Sequence, residues 1–213
     1  MSRNAILQRV RAALGRSAGQ AASDPPPVRL SIPETSAESR IASLLARVEA
    51  LAGRGLRAAS AAEVAAIVSQ VLANRSAIAS NAPYLAECGI TRLPGVRAGI
   101  VGRDELRELC ATADVGITSA DYALADTGTL VMLSSPQEAR MISLLPPAHL
   151  AVVPRDRVLS GLDELFSILP DPAASTSSMV LITGPSRTAD IEQILVRGVH
   201  GPGEVYAVIV DDE

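Results

Sequence analysis

A chain of 213 residues, 48% apolar and 20% charged, is long enough for one sizeable domain plus an appendage, and with one Phe, three Tyr and no Trp its core must be aliphatic. A net charge of −4 and a pI near 5.3 leave no basic surplus for a polyphosphate backbone, and the scarcity of aromatics removes base-stacking platforms, so both argue against nucleic-acid binding. All 19 basic residues are Arg, which excludes Schiff-base and P-loop lysine chemistry, and two isolated cysteines, Cys88 and Cys110, cannot ligate an ordinary iron–sulfur cluster or a four-cysteine zinc site; they read as buried thiols in a reducing cytosol.

Residues 1–16 have the pattern of a short amphipathic helix, with Ile6, Leu7, Val10 and Leu14 on one face and Arg3, Arg9 and Arg11 elsewhere. No acidic residue precedes Asp24, a pattern shared by organellar presequences and by helical arms that dock on a domain or a neighbouring subunit; the arm is the preferred reading. Residues 17–36, with Pro25-Pro26-Pro27, read as an Ala/Ser/Pro-rich linker, so the expected organisation is an arm and linker over 1–36 and an α/β domain over 37–213. Ile41, Leu44, Leu45, Val48 and Leu51 form a helical stripe stopped by Gly53 and Gly55, and Ser60 with Glu63 predicts a capping box ahead of a second helix.

Beyond residue 75 short apolar runs alternate with helical stretches. Strands are expected at Ala77–Ser80, Ala98–Val101, Val115–Thr118, Thr129–Leu133, Leu150–Val153, Met179–Thr183 and Tyr206–Val210. Helices are expected near 104–112, 137–144, 156–169 and 188–197. This alternation predicts an α/β fold, a mostly parallel sheet flanked by helices. The 115–118 and 129–133 strands are too close for a normal helix between them, which predicts an antiparallel or hairpin insert. No apolar run reaches the ~18 residues that a membrane span needs.

Three segments set polar residues beside buried strands. The run Met179–Thr183 exits into Gly184-Pro185-Ser186-Arg187-Thr188, with Asp190 close behind. If a helix starts there, its amides with Ser186, Arg187 and Thr188 suit a phosphate or carboxylate; the same residues serve equally as a plain helix cap with a surface arginine. Asp126-Thr127-Gly128-Thr129 makes a polar turn before a buried strand, where Asp126 suits a general base or nucleophile, or else organises the loop. Val199-His200-Gly201-Pro202 places a proton-handling His200 in a loop, or a histidine with no ligand. Neither His149 nor His200 has metal-site spacing, and no dinucleotide or nucleophile-elbow fingerprint occurs, so no metal is expected.

Taken together, Gly116-Ile-Thr118, Asp121-Tyr-Ala, Asp126-Thr-Gly-Thr129, Ser143-Leu-Leu-Pro-Pro147 with His149, Thr183-Gly-Pro-Ser-Arg-Thr-Ala-Asp-Ile-Glu192 and Gly198-Val-His-Gly-Pro202 resemble the lactate-utilisation protein C branch of the LUD domain family over about residues 40–210. The resemblance implies a fold similar to the sugar-phosphate isomerase and CoA-transferase superfamily. It implies a cytoplasmic component of L-lactate oxidation to pyruvate, working with partner subunits that carry the iron–sulfur clusters, with no cofactor of its own. On that reading Asp126 and His200 are the catalytic candidates. Thr127, Gly128, Thr129, Gly184, Pro185, Ser186, Arg187, Thr188, Asp190 and Gly201 are the candidate ligand-binding residues for a small carboxylate or phosphate. The family pattern has Glu at the position of Asp126; Asp keeps the carboxylate and shortens its reach by on the order of 1 Å. Two other functions fit the residues: a stand-alone enzyme acting on a phosphosugar, CoA ester or folate-type substrate, and a non-catalytic scaffold or assembly protein docking through the Arg-rich arm.

Overall fold

The computed structural model describes residues 2–20, 31–191 and 194–211, and the side chains of 189–197 lie outside the description, as does the Pro25–Pro27 linker. Helix α1 (Arg3–Ala13) is capped by Ser2 and buries none of its residues. Helix α2 (Ala37–Ala50), capped by Ser36, buries the predicted Ile41, Leu44 and Val48. Strand β1 (Arg54–Ala58) and helix α3 (Ala61–Leu72) follow. The expected capping box does not form at α3: Glu63 accepts from the N–H of Ala59, one residue before the N-cap, at 2.7 Å, and the Ser60 side chain makes no cap bond.

Next come β2 (Ala77–Ala79), α4 (Pro83–Glu87), β3 (Val96–Arg97), α5 (Arg103–Thr112) and β4 (Val115–Ser119). Strand β3 lies ahead of the predicted 98–101 run, which Gly99 interrupts with a φ of 76°. The chain then forms β5 (Tyr122–Leu124), β6 (Thr129–Leu133), α6 (Arg140–Leu144), β7 (Ala148–Pro154), β8 (Val158–Leu159), α7 (Leu162–Ile168), α8 (Pro172–Ser175), β9 (Met179–Ile182), β10 (Arg187–Ile191), β11 (Ile194–Arg197) and β12 (Glu204–Val210).

Two expected helices are corrected. The stretch 156–169 breaks at Ser160-Gly161: Val158 and Leu159 pair with β5, and only Leu162–Ile168 is helical. The stretch 188–197 is an antiparallel hairpin, β10 with β11. Its Thr188, Ile191, Ile194 and Val196 are β-branched, and that preference prevails over a helical spacing.

Strands β1, β12, β7, β4, β2 and β3 form, in that order, a six-stranded sheet whose pairs are all parallel. Its inner strands β12, β7, β4 and β2 are buried along most of their length because both faces are covered, while the edge strands β1 and β3 carry exposed arginines. Val64 and Val68 of α3, with Leu85 of α4, pack on Ala77, Val115, Leu150 and Val208. On the other face α2 and a second sheet cover Ala151, Val153, Ala207 and Ile209, and α5 and α6 cover Ile78. That second sheet has the order β8-β5-β6-β9, with β5–β6 and β6–β9 antiparallel, so the expected insert is present as a separate layer. Leu165 of α7 seals its outer side against Leu124, Val131 and Leu159. Among the described residues no helix is long and apolar enough to cross a membrane.

Strand β4 meets α6 at Gly116. A Cβ there would lie 1.8 Å from the Ile142 carbonyl oxygen and 3.1 Å from Pro146 Cγ. Glycine is required at this point because backbone, which cannot rotate aside, fills the space. We expect Gly116→Ala to destabilise the fold by on the order of 3 kcal/mol, read as a lowered urea midpoint at unchanged m-value. Unchanged unfolding would show that α6 does not press on β4.

Candidate functional site

In an open parallel sheet, ligands bind beyond the carboxyl ends of the strands, where neighbouring strands send their connections in opposite directions. Here the chain leaves β2 outward to the edge strand β3 and leaves β4 inward to β7. The crevice between the ends of β2 and β4 is that point. It opens into a groove of about 490 Å³ lined by Tyr84, Ser119, Asp121, Glu138, Pro154 and Arg157, among others.

Glu138 is the organising residue. It sits on the turn between β6 and α6, where Ser135 Oγ accepts from the Gln137 and Glu138 amides at 3.2 and 3.0 Å. The Gln137 carbonyl accepts from the Asn81 N–H at 2.9 Å, which anchors the turn to the end of β2. Glu138 Oε1 accepts from Ser80 Oγ at 2.7 Å and from the Ser119 N–H at 2.8 Å, so one carboxylate oxygen joins the ends of both strands. The residue is only 8% exposed. Its Oε2 and the Nδ1 of His149 are the buried side-chain polar atoms without a hydrogen-bond partner among the described residues. Burial pushes the Glu138 carboxyl up to about 7 and nearby Asp121 adds to this, against the lowering effect of Ser80 and Ser119.

Asp121, after β4, accepts from the Leu133 N–H at 2.7 Å, and burial raises its pKa while Arg157 opposes. The Arg157 guanidinium stands 5.5 Å from the centre of the Tyr122 ring, at the mouth of the groove. His149, on β7, is fully buried; its Nε2 lies 2.8 Å from Thr118 Oγ1, and burial alone depresses it to about 4. It is a neutral core histidine.

The residues singled out from the sequence assemble elsewhere, around the C-terminal end of α2. Thr127 Oγ1 donates to Asp126 Oδ1 at 3.2 Å, Thr129 Oγ1 donates to Thr127 Oγ1 at 2.8 Å, and Thr129 Oγ1 also lies 2.8 Å from Thr183 Oγ1. Gly128 has a φ of 70°, and a Cβ there would lie 2.8 Å from Arg47 Cβ on α2. Asp126 itself is exposed, and its carboxylate rests over Gly161, where a Cβ would lie 2.5 Å from Oδ2.

Gly184, with a φ of 79°, packs on Leu51, the residue that ends α2. Arg187 Nη2 donates to the Leu51 carbonyl at 2.5 Å. The buried Pro185 is followed by Ser186, whose N–H donates to the Pro202 carbonyl at 2.8 Å, while a Cβ on Gly201 would lie 3.4 Å from Ser186 Cβ. Thus 126–129, 183–188 and 198–202 do converge. They do so on the negative end of a helix dipole, with Arg187 engaged there, and Thr188 opens a strand rather than a helix N-terminus. His200 is exposed, and the Asp190 side chain lies outside the described residues. Thr129 and Leu133 end the same strand, so this corner stands roughly 13 Å from the groove along β6.

Sequence reasoning read Glu138 as part of a helix. Its one signal was a carboxylate two residues after Ser134-Ser135-Pro136, between a buried strand and an apolar helix. Only the topology brings it to Ser80 and Ser119, 58 and 19 positions away.

The LUD domain model matches residues 41–210. Among curated proteins the chain is 42% identical over 110 residues to "Lactate utilization protein C" of Exiguobacterium sp., covering 50% of this chain and 48% of that protein. It is 41% identical over 113 residues to the protein of the same name from Halalkalibacterium halodurans, covering 51% and 49%. The chain therefore spans about half the length of the curated relatives it matches. A crystal structure of a DUF162 family protein from Deinococcus radiodurans superposes with a TM-score of 0.63 at 19% identity, over 83% of this chain and 99% of that one, a likeness of fold.

The two buried groups titrate with opposite signs. His149 is depressed from 6.5 to about 4, so the unfolded chain holds the extra proton and stability rises with pH across that window. Glu138 is raised from 4.5 to about 7, so the folded chain holds the extra proton and stability falls across its window. Each effect is on the order of 3 kcal/mol, and they offset each other. Relative to the unaltered protein, Glu138→Gln should gain stability as pH rises from 4.5 to 7. His149→Leu should lose relative stability from pH 4 to 6.5. Urea titrations at pH 4.5, 5.5, 6.5 and 7.5 test this, and variant curves parallel to the parent would refute it.

Proposed function

The chain belongs to the LUD domain family, and from that premise we propose that it is a component of an L-lactate utilisation system, a subunit without an iron–sulfur cluster that binds a small anionic metabolite. The relatives named lactate utilization protein C support the system. The observation that carries the ligand is Glu138, a buried carboxyl with one unpartnered oxygen, which belongs with Asp121 and Arg157 to the lining of the switch-point groove. In this reading the groove, rather than the turn at Gly184–Thr188, holds the anion, because Arg187 already caps α2. The electron-carrying clusters belong to partner subunits, and the two buried cysteines fit that division of labour. Helix α1 offers a docking element, since Ile6, Val10 and Leu14 remain 49%, 49% and 65% exposed.

One observation favours the stand-alone enzyme as a second reading. The groove adjoins a further pocket of about 660 Å³ bounded by Tyr84, Pro154, Arg155 and Arg157, which is more room than a three-carbon acid fills. A phosphorylated or acyl-carrier substrate would use that space, displacing Asp156 from Arg157 and Asp211 from Arg155 to reach the two arginines.

Growth separates the two readings. A strain lacking the gene should fail on L-lactate as sole carbon source and grow normally on pyruvate, and the tagged protein should co-purify with iron–sulfur partners. Normal growth on L-lactate with no partner recovered would overturn the leading reading. Turnover of a phosphosugar or acyl-CoA by the purified chain alone would establish the second.

A further inference from the structure

We propose that this chain pairs with a second copy by exchanging arms, helix α1 of each copy lying along α7 of the other. The inference is independent of the groove and concerns two surfaces that the single chain leaves exposed. Helix α1 buries none of its residues. Its Ile6, Val10 and Leu14 recur every four positions and form one stripe, 49%, 49% and 65% exposed. At about 100° per residue, Arg9 and Arg11 fall on opposite sides of that stripe. Residues 2–20 carry Arg3, Arg9, Arg11 and Arg16 and no acidic residue.

Helix α7 presents the counterpart. Leu165 faces inward, whereas Leu162 and Phe166, one turn apart, are each 40% exposed. The Ser31 N–H donates to Asp163 Oδ2 at 2.9 Å, which sets Ile32, 43% exposed, beside them. Between Arg157 and Arg187 the sequence holds no basic residue and three acidic ones, Asp163, Glu164 and Asp171. Arg40 pairs with Glu164, which leaves Asp163 and Asp171 to meet the arginines of an arriving arm.

Charge, tether and area point to a second copy as the occupant. A basic helix with an aliphatic stripe matches an acidic helix with an apolar patch, and one molecule carries both. The arm is joined to the domain at the patch itself, because Ser31 is held by α7. Ten positions separate Gln20 from Ser31, a span of at most about 35 Å. Two copies related by a two-fold axis, with α7 facing α7, therefore bring each arm to the other's patch. The exposed parts of the six apolar side chains amount to roughly 500 Å² per contact, and reciprocal exchange doubles this to about 1,000 Å², the size at which a specific interface becomes stable.

Sedimentation equilibrium of the full chain tests this. The unaltered protein should dimerise with a dissociation constant on the order of 10 µM in about 50 mM salt. Raising the salt to about 0.5 M should weaken the dimer at least about fivefold, because ion pairs across the contact are screened. Val10→Asp in the arm and Phe166→Asp on α7 should each weaken it at least about tenfold, with the urea midpoint unchanged because both positions are exposed in the single chain. An unaltered chain that stays monomeric at about 100 µM would overturn the proposal; co-sedimentation of that monomer with anionic phospholipid vesicles would assign the arm to a membrane surface instead. A dimer indifferent to Val10→Asp would overturn it as well. So would a dimer lost in Val10→Asp and kept in folded Phe166→Asp, the mark of arms that pair with each other. A dimer unmoved or strengthened by salt would overturn the charge-matched contact, and that measurement needs no variant.

Discussion

A six-stranded sheet in which every pair is parallel constrains everything else in this molecule. Parallel strands need crossover connections, and their edges leave no room for short hairpins. Both faces must then be dry, since continuous runs such as Leu150–Val153 and Val205–Val210 have no polar side to show to water. Helices α3 and α4 close one face. The other needs more cover than α2, α5 and α6 supply, and the β8-β5-β6-β9 sheet completes it. That second layer has an outer side of its own, which α7 seals with Leu165. Polar chemistry is thereby confined to the two ends of the strands.

Those two ends differ in electrostatic character. At the carboxyl ends of β2 and β4 the chain turns in opposite directions, and the gap accepts a carboxyl from a third element, Glu138. Its Oε1 closes the gap by bonding to Ser80 and Ser119, and Oε2 is left over. That oxygen, near Asp121, is the unmet polar atom at this end of the sheet among the described residues. His149 also has an orphan atom, but it lies fully buried and away from the groove-lining residues. Burial affects both groups, and of the two residues only Glu138 belongs to the lining of the groove.

Most of the framework was legible in the sequence because its strands and helices are locally consistent. Thr129–Leu133 has the predicted bounds, α5 and β4 differ by a residue, and the insert was legible from the short spacing before Thr129. The failures share a cause. Val158 and Leu159 continue a helical stripe, yet the partner that makes them a strand is β5, more than 30 positions earlier. Residues 188–197 carry a helical spacing, and their pairing as a hairpin outweighs it. Glu138 was hidden for the same reason: the two donors that define it belong to strands distant in sequence. Periodicity reports local preference, and a site made by topology leaves almost no local trace.

The corner that stood out in the sequence has a packing role that the structure makes visible. Its glycines, threonines and arginine are distinctive because they crowd against one helix end. Gly128 and Gly184 adopt positive φ where α2 leaves no space for a side chain, and the Thr127–Thr129–Thr183 hydroxyls satisfy one another. Arg187 covers the Leu51 carbonyl that α2 cannot bond internally. Asp126 rests over Gly161, so its short side chain matches the bare backbone beneath it. A carboxylate one methylene longer would extend past that contact, and the Asp at this position therefore fits a residue that braces the loop against β8. Residues of this kind are needed to hold the second sheet on the first, and a sequence motif can be specific for that reason alone. The groove lies at the opposite end of β6, and the corner acts on it by fixing the strand whose far end positions Leu133, Asp121 and the Glu138 turn.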